Sequence, residues 1–228
     1  MPENFEGELK SEKSVESREG RVIGPFQWTE TIDGKEIVKE GIIRYAKKED
    51  YQDLVEVDNN RSEFRRKEYG VEPKLPGEIE KVMELNLERS LSQPDELAFI
   101  VLEVEGEIAG YVEFGKMRWG VELPANVREA STVSVLEKYH GKGIGTALTL
   151  SAEDEVRKIG VEKIELYTND QNKQTVGSKG RIGFYEKLGY KQEGEPEEDE
   201  GGTKWSGKVI KYIKFVKYLN KQKNENSY

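Results

Sequence analysis

The fold of this chain is decided by one short segment, His140-Gly141-Lys142-Gly143-Ile144-Gly145-Thr146, which joins two stretches of different periodicity. The β-branched run before it, Ser131-Thr132-Val133-Ser134-Val135, predicts a strand. After it, apolar residues recur at helical spacing over residues 144–159, which predicts an amphipathic helix. A glycine-rich turn therefore leads from a strand directly into the N-terminus of a helix.

The glycines of this turn favour an anion as its ligand. Glycine at positions 141, 143 and 145 lets the backbone turn tightly and approach a ligand closely. The N–H groups at the start of a helix attract negative charge, so a phosphate or pyrophosphate is the natural ligand. The same glycines could instead serve only close packing in an ordinary strand-to-helix loop. Taken alone, the glycines leave both interpretations open.

Two common nucleotide-binding motifs do not match the turn. A P-loop requires Ser or Thr directly after Gly-Lys, but Lys142 is followed by Gly143. A dinucleotide-binding fingerprint that starts at Gly141 requires a third glycine where this chain has Thr146. The spacing therefore indicates a phosphate-binding turn of another type.

Two motifs, in the right order, resemble those of the GNAT superfamily of acetyl-CoA-dependent N-acetyltransferases. The first has the form Arg/Gln-x-x-Gly-x-Gly/Ala, with His140 in its first position and Gly143 and Gly145 in the others. The second is similar to the family's Tyr-Glu-Lys-x-Gly-aromatic segment and follows about 40 residues later, as Phe184-Tyr185-Glu186-Lys187-Leu188-Gly189-Tyr190. The resemblance covers residues 41–219 and is specific for acyl-CoA binding, but it says little about the acceptor.

The resemblance implies an α/β fold with a mixed, mostly antiparallel sheet, whose central parallel pair of strands splays apart and is flanked by helices. The sequence pattern agrees, because it predicts a strand, two helices, a hairpin, a strand, a helix, a strand, a helix and a final hairpin. Asp50 is predicted as the N-cap of the first helix.

The chain is predicted to hold one domain with appendages. Residues 1–20 are rich in Glu, Ser and Lys, so they are expected to form a disordered or loosely attached tail. Residues 21–40 carry Asp33-Gly34 between apolar stretches, which predicts a hairpin extension, with Trp28 as a packing anchor. The GNAT-like acetyltransferase domain is assigned to residues 41–220 and a second tail to residues 221–228.

The resemblance implies an acetyl-CoA site at the strand end and the turn. Backbone groups of Val133 and Val135 would pair with the pantetheine arm in the gap between the splayed strands. The Val135 amide would polarise the thioester carbonyl, where developing negative charge requires a donor. The expected cofactor-binding residues are Val133, Ser134, Val135, His140, Gly141, Lys142, Gly143, Ile144, Gly145, Thr146 and Asn172. No metal is expected.

Catalytic roles are predicted for Glu129 and Tyr185. In several relatives a strand carboxylate near the position of Glu129 deprotonates the attacking amine, which must lose a proton before it can attack. Tyr185 matches the family tyrosine that often protonates or hydrogen-bonds the departing CoA thiolate. The structural alternatives are a solvated glutamate on an edge strand and a tyrosine that only fills the core.

The chain departs from the family pattern at several points. His140 stands where Arg or Gln is usual. Asn172 matches the family asparagine when counted from the preceding strand, but Tyr185 then follows about six residues late, so residues 171–181 are expected to hold an insertion. Counted back from Tyr185, Ser178 could take the asparagine role instead.

A second insertion is predicted over residues 193–202, which contain the acidic run 195–200. A charge run of this kind is usually a solvated loop tip. In the family the corresponding hairpin neighbours the acceptor side, so a polyamine, an aminoglycoside or a lysine-bearing acceptor is worth testing.

Composition limits the classes of function. A length of 228 residues with 35% hydrophobic residues suits one globular domain. There is no apolar run of about 18 residues and no leader pattern, so a cytoplasmic protein without a membrane segment is expected. With no cysteine and His140 as the one histidine, thiolate and histidine-rich metal sites and a cysteine nucleophile are disfavoured. The net charge of -9 argues against nonspecific nucleic-acid binding and favours cationic acceptors.

The sequence therefore predicts an N-acetyltransferase that moves an acetyl group from acetyl-CoA directly to a primary amine of a small molecule or peptide. The alternative is a non-catalytic acyl-CoA-binding sensor or interaction module, because His140 and the inserted loops depart from the family pattern. The expected partners are acetyl-CoA and an amine that could be cationic, and a homodimer is an open alternative to the monomer.

Overall fold

The computed structural model describes residues 17–69, 77–118, 121–169, 180–198 and 211–219. Its strands are β1 (Val22–Ile32), β2 (Lys35–Tyr45), β3 (Leu97–Val104), β4 (Glu107–Gly115), β5 (Met117–Arg118), β6 (Val121–Glu122), β7 (Val127–Val135), β8 (Lys163–Asn169), β9 (Lys191–Gln192), β10 (Glu197–Glu198) and β11 (Lys211–Tyr218). Its helices are α1 (Tyr51–Tyr69), α2 (Glu78–Ser92), α3 (Ile144–Lys158) and α4 (Gly180–Lys187). In this described part of the chain, no helix has the length and apolar character needed to cross a membrane.

One large sheet forms the centre of the molecule. Its strand order is β1-β2-β3-β4-β7-β8-β11-β10, with β9 also paired to β11, while β5 and β6 form a separate two-stranded ribbon. Among the described strands, β7 and β8 pair in parallel and the other neighbours pair antiparallel. This mixed, mostly antiparallel sheet with a central parallel pair confirms the predicted fold class.

The parallel pairing covers only the first part of β7 and β8. It runs from Val127 opposite Lys163 to Glu129 opposite Glu165. Both strands continue past these residues, β7 to Val135 and β8 to residue 169. The two strands therefore separate beyond Glu129, which leaves a gap in the middle of the sheet.

Helices cover the two faces of the sheet. On the first face, here called the α3 face, α3 and α4 pack on a buried apolar cluster that includes Ile100, Val112, Leu148, Leu166 and Phe215. On the opposite face, here called the α1 face, α1 and α2 pack on a second cluster that includes Leu54, Met83, Phe99 and Tyr111. Side chains of successive strand residues alternate between these two cores.

The hairpin of β1 and β2 turns at Asp33-Gly34, as predicted. Both residues have positive φ, 51° and 75°, which is the geometry of the tight turns that suit hairpins. β2 pairs with β1 along nearly its whole length and with β3 over residues 42–45. The second strand of the hairpin and the first strand of the domain are therefore the same strand, β2, which continues without a break at residue 40.

The predicted tails are only partly described. Residues 1–16 and 220–228 lie outside the described residues. Residues 17–20 are attached to the domain, because Arg18 pairs with Asp95 at 2.6 Å and Gly20 N–H donates to the Ala46 carbonyl at 3.3 Å.

Asp50 has a different role from the predicted helix cap. It ends a short 3-10 helix (Lys48–Asp50) before α1, and its Oδ2 accepts the Lys47 N–H at 2.8 Å. Both carboxylate oxygens also accept hydrogen bonds from the buried Arg44 guanidinium, at 2.7 and 2.8 Å, and Glu103 binds the same guanidinium at 2.7 Å. A buried guanidinium needs anionic partners, so Arg44 directs the Asp50 carboxylate toward the sheet.

Candidate functional site

The end of β7 presents a backbone edge to the gap beside β8. The Leu136 N–H donates to the Ala109 carbonyl of β4 at 2.9 Å. The N–H and C=O groups of successive strand residues point to alternate sides of the strand. Those of Val133 and Val135 therefore point away from β4, toward β8. The pairing with β8 has already ended at Glu129, so these groups face the gap.

The side chains at this strand end also have structural roles. Val133 and Val135 are partly buried and pack against the core of the α3 face. Ser134 points to the opposite face and is 4% exposed. Its hydroxyl oxygen has no hydrogen-bond partner in the described part of the chain. The strand end therefore combines packed side chains with backbone groups that face the gap.

The glycine turn places unused N–H donors at the start of α3. Gly141 and Gly143 adopt positive φ, 78° and 80°. The first hydrogen bond of the helix runs from the Ala147 N–H to the Gly143 carbonyl at 2.9 Å. The three N–H groups of residues 144–146 therefore have no acceptor within the helix. A Cβ at Gly141 would meet no atom within 4 Å, so the turn is open on that side. This donor set fits a phosphate.

The His140 ring lies back on β7. Its Nε2 is 2.9 Å from the Val135 carbonyl oxygen, and its ring meets Phe64 of α1 edge-on at 5.9 Å between centroids. A carbonyl oxygen only accepts, so Nε2 must carry the proton. His140 thereby fixes the strand end next to the gap.

Tyr185 of α4 is brought to the same place by packing. Phe184, its neighbour in sequence, lies 3.7 Å from the position that a Cβ of residue 145 would occupy, so α4 touches the first turn of α3. The Tyr185 ring packs between Phe184 and Tyr190, at 5.0 and 5.7 Å between centroids. Burial raises the pKa of Tyr185 to about 12. The phenol therefore stays protonated at neutral pH and can donate a proton.

Glu129 lies on the other face of the sheet. It is 7% exposed, so it is not the solvated edge glutamate of the structural alternative. Its neighbour Ala130 belongs to the core of the α3 face, so the Glu129 side chain points to the α1 face. The two predicted catalytic residues thus lie on opposite faces, and the gap opens between their strands.

Glu165 lies beside Glu129 and is part of an ion-pair group. It pairs with Lys163 at 2.6 Å and with Lys214 at 3.1 Å. Burial acts to raise its pKa, but the hydrogen bonds from the two lysines hold the pKa of Glu165 below its usual value. The neighbour of Glu129 is therefore an ionised carboxylate with lysine partners.

Parts of the predicted site lie outside the described residues. Asn172 and Ser178 are both in residues 170–179, which the structure does not describe, and so is most of the predicted insertion over residues 171–181. In the second insertion, Glu197–Glu198 forms β10 and pairs with β11, while residues 199–210 are not described. Glu197 and Glu198 of the acidic run are therefore part of a short exposed strand at the edge of the sheet.

The hairpin reaches the glycine turn, a contact that no pattern in the sequence predicted. Glu30 of β1 forms an ion pair with Lys142, and the Phe26 ring lies 3.9 Å from the position that a Cβ of Gly143 would occupy. A pocket of about 450 Å³ lies between the two segments.

Trp28 packs as the sequence predicted, because its ring stacks on Phe26 and meets Tyr139 edge-on. Glu30 and Lys142 are 112 positions apart, so no local pattern could reveal their contact.

Two curated proteins are similar to part of this chain. An N-alpha-acetyltransferase of Sulfurisphaera tokodaii is 35% identical over 104 residues, which cover 42% of this chain and 58% of that protein. An uncharacterized N-acetyltransferase of Methanocaldococcus jannaschii is 33% identical over 103 residues, covering 45% of this chain and 42% of that protein. The chain thus spans about half the length of the curated relatives it matches.

Solved structures share the fold. The PaiA N-acetyltransferase of Thermoplasma acidophilum, in complex with coenzyme A, superposes with a TM-score of 0.55 at 23% identity, over 78% of this chain and 99% of that chain. The ribosomal-protein-alanine N-acetyltransferase of Brucella melitensis gives 0.60 at 20% identity, with the same coverage. The model of the acetyltransferase (GNAT) family matches residues 57–190, more than half of this chain. The glycine turn, the gap and the family match lead to one conclusion: the chain belongs to the GNAT family of acetyltransferases.

Proposed function

We propose that this chain is an N-acetyltransferase that moves an acetyl group from acetyl-CoA directly to the primary amine of a small molecule or peptide. The observation that carries the proposal is the junction at the end of β7. There the backbone edge at Val133 and Val135 faces the gap, the glycine turn offers its N–H groups, and Tyr185 packs nearby through Phe184.

Acetyl-CoA is the cosubstrate that these groups fit. Two fold neighbours were solved with it or its product, the Thermoplasma PaiA protein with coenzyme A and the Salmonella typhimurium yncA protein with acetyl-CoA. In this chain the N–H groups of residues 144–146 would hold phosphate, and the edge at Val133 and Val135 would hold the amide-bearing arm. When bound, acetyl-CoA supplies the activated acetyl group as a thioester.

The residues around the gap divide the proton transfers between two faces of the sheet. Glu129 would take the proton that the acceptor amine must lose before it attacks. The Val135 N–H would donate to the oxygen on which negative charge develops. The Tyr185 phenol, whose pKa is raised to about 12 by burial, would give a proton to the departing sulfur.

The α1 face is the side from which the acceptor would approach Glu129. Glu165 lies beside Glu129 on that face, where its negative charge is offset by Lys163 and Lys214. The Sulfurisphaera relative is named an N-alpha-acetyltransferase. Peptide N-termini are therefore the first acceptors to test, followed by polyamines and aminoglycosides.

The test is an acetyl-CoA consumption screen with peptide N-termini, polyamines, amino acids and aminoglycosides, combined with calorimetry of coenzyme A binding. The proposal predicts amine-dependent release of coenzyme A and an acetylated amine detected by mass spectrometry. Tight binding without turnover in every amine class would support the non-catalytic sensor instead. If the chain neither binds coenzyme A nor consumes acetyl-CoA, both functions are overturned.

A further inference from the structure

Lys142, in the middle of the glycine turn, is bound to an internal anion. Its ammonium pairs with the carboxylate of Glu30 on β1, and the same carboxylate accepts the Trp28 indole N–H at 2.8 Å. The two side chains of the ion pair are 25% and 20% exposed. The hydrogen bond from Lys142, followed by that from Trp28, holds the pKa of Glu30 below its usual value. Glu30 is therefore negatively charged at neutral pH.

The outer part of the hairpin contacts the rest of the domain through side chains, beyond the residues that pair with β3. β3 pairs with β2 only over residues 42–45, so residues 35–41 of β2 extend beyond it. The hairpin meets the domain there through the Glu30 ion pair, through the Trp28 ring against Tyr139 at 6.4 Å, and through Lys39 and Glu105 at 3.1 Å. Loss of the Lys142 ion pair would therefore remove one of the contacts that hold the outer hairpin to the domain.

A phosphate at this turn would meet the charge of Glu30. A carboxylate and a phosphate are both anions that accept hydrogen bonds from an ammonium group. Lysine is a compact charge on a flexible stem with three donors, so it can exchange one anion for another. With Glu30 in place, an incoming phosphate finds the Lys142 ammonium already paired and a like charge beside it.

We propose that Glu30 competes with a phosphate group of acetyl-CoA for Lys142, so that the N-terminal hairpin sets the affinity of the site for its cosubstrate. The inference rests on the proposed function, because it takes acetyl-CoA as the ligand of the turn. Lys142 exchanges the Glu30 carboxylate for the phosphate when the cosubstrate binds, and the hairpin loses its ion pair to the turn.

Calorimetric titration of coenzyme A into the full chain tests the competition. Glu30→Gln keeps the size of the side chain and removes its charge, so it should bind coenzyme A about two- to tenfold more tightly. The gain is limited because an ion pair that is still in contact with solvent is weak. Lys142→Gln should bind more weakly than wild type. In the double variant, Glu30→Gln should no longer improve binding, because the cation for which the anions compete is gone.

Glu40→Gln is the matched control. It removes one negative charge from the same hairpin, but Glu40 pairs with Gln27 at 2.7 Å on the opposite face of the β1–β2 ribbon. Its affinity for coenzyme A should equal that of wild type. Equal tightening by both charge removals would overturn the proposal in favour of a general charge effect.

The ligand 3′-dephospho-coenzyme A identifies which phosphate competes. If Lys142 binds the 3′-phosphate, the gain from Glu30→Gln should disappear with this ligand; if it binds the pyrophosphate, the gain should remain. Either result supports competition. If Glu30→Gln lowers the unfolding midpoint, Glu30→Asp provides a second test of the competition. This variant shortens the side chain by one methylene, which moves the carboxylate away from Lys142, and it keeps the charge of the hairpin. It should also bind coenzyme A more tightly than wild type.

Coenzyme A binding by wild type separates an error about Glu30 from an error about the site itself. If wild type binds coenzyme A and Glu30→Gln binds it equally or more weakly, then Glu30 orients Lys142 and the competition is wrong. If neither wild type nor any variant binds coenzyme A, the proposed function itself is overturned.

Discussion

Glu129 of β7 lies opposite Glu165 of β8 at the last paired position of the parallel strands. Beyond this pair the sheet opens, so the candidate base sits where the gap begins. The neighbouring Glu165 has lysine partners that lower its pKa. The two glutamates share a face of the sheet, and both are buried.

Glu129→Gln should lower kcat by roughly 10²- to 10³-fold near neutral pH, because an amide cannot accept the proton of the acceptor amine. The acidic limb of the pH–rate profile should disappear. The defect should shrink at high pH, where more of the amine is already neutral. Steady-state kinetics from about pH 6 to 10 measure this. Glu165→Gln is the control, and it should retain the acidic limb. An unchanged limb in Glu129→Gln would exclude the base role.

Tyr185→Phe should lower kcat by roughly 10- to 1000-fold with little change in acetyl-CoA affinity, because water can partly replace the lost acid. With a pKa of about 12, the wild-type phenol stays protonated across the assay range, so its ionisation should add no basic limb below about pH 11. Tyr190→Phe removes a hydroxyl from the adjacent ring and should keep wild-type kcat. Wild-type kcat in Tyr185→Phe, with chemistry rate-limiting, would make this tyrosine a packing residue.

Gly143 and Gly145 should respond differently to the same substitution. Gly143 has φ of 80°, a conformation that side chains rarely adopt, so Gly143→Ala should destabilise the fold by about 1 kcal/mol and weaken coenzyme A binding. A Cβ at Gly145 would meet Phe184 at 3.7 Å and Val135 at 3.8 Å, which are ordinary contacts. Gly145→Ala should therefore fold and bind as wild type does. Chemical denaturation and calorimetry compare the two, and equal behaviour would contradict the assigned turn geometry.

Acidification should destabilise the protein partly through Glu155 of α3. Burial acts to raise its pKa, but hydrogen bonds from Lys158, Arg21 and Tyr45 together hold the pKa of Glu155 below its usual value. A lowered pKa stabilises the fold above the unfolded-state pKa, and this stabilisation is lost as pH falls through the folded-state value.

Glu155→Gln should therefore lower the free energy of unfolding by about 1–3 kcal/mol at pH 7. Below about pH 4.5 the variant should lose less stability than wild type. Urea denaturation from pH 3 to 7 provides the measurement. Asp154→Gln, which removes the adjacent and exposed carboxylate, should follow the wild-type profile. Parallel profiles for Glu155→Gln and wild type would show that this ion pair does not contribute.

The sequence by itself determined the local structure and the family. The glycine turn between a β-branched strand and an amphipathic helix, the second motif around Tyr185 and the Asp33-Gly34 turn are all patterns of neighbouring residues. Backbone preference and hydrophobic periodicity act over a few positions, so each could be interpreted without knowing the rest of the chain. Together with the family resemblance, they predicted the main strands and helices and the fold class, while the roles of the site residues stay predictions.

The tertiary structure alone decided which side chains meet. Asp50 binds Arg44 instead of capping α1, the His140 ring turns back to Val135, and Glu30 reaches Lys142. Each of these contacts depends on which face of a strand a residue occupies, on the register of the sheet, or on a buried charge that needs a partner. Such conditions arise only when the whole sheet has assembled, because burial and long-range pairing are properties of the packed molecule and not of any segment.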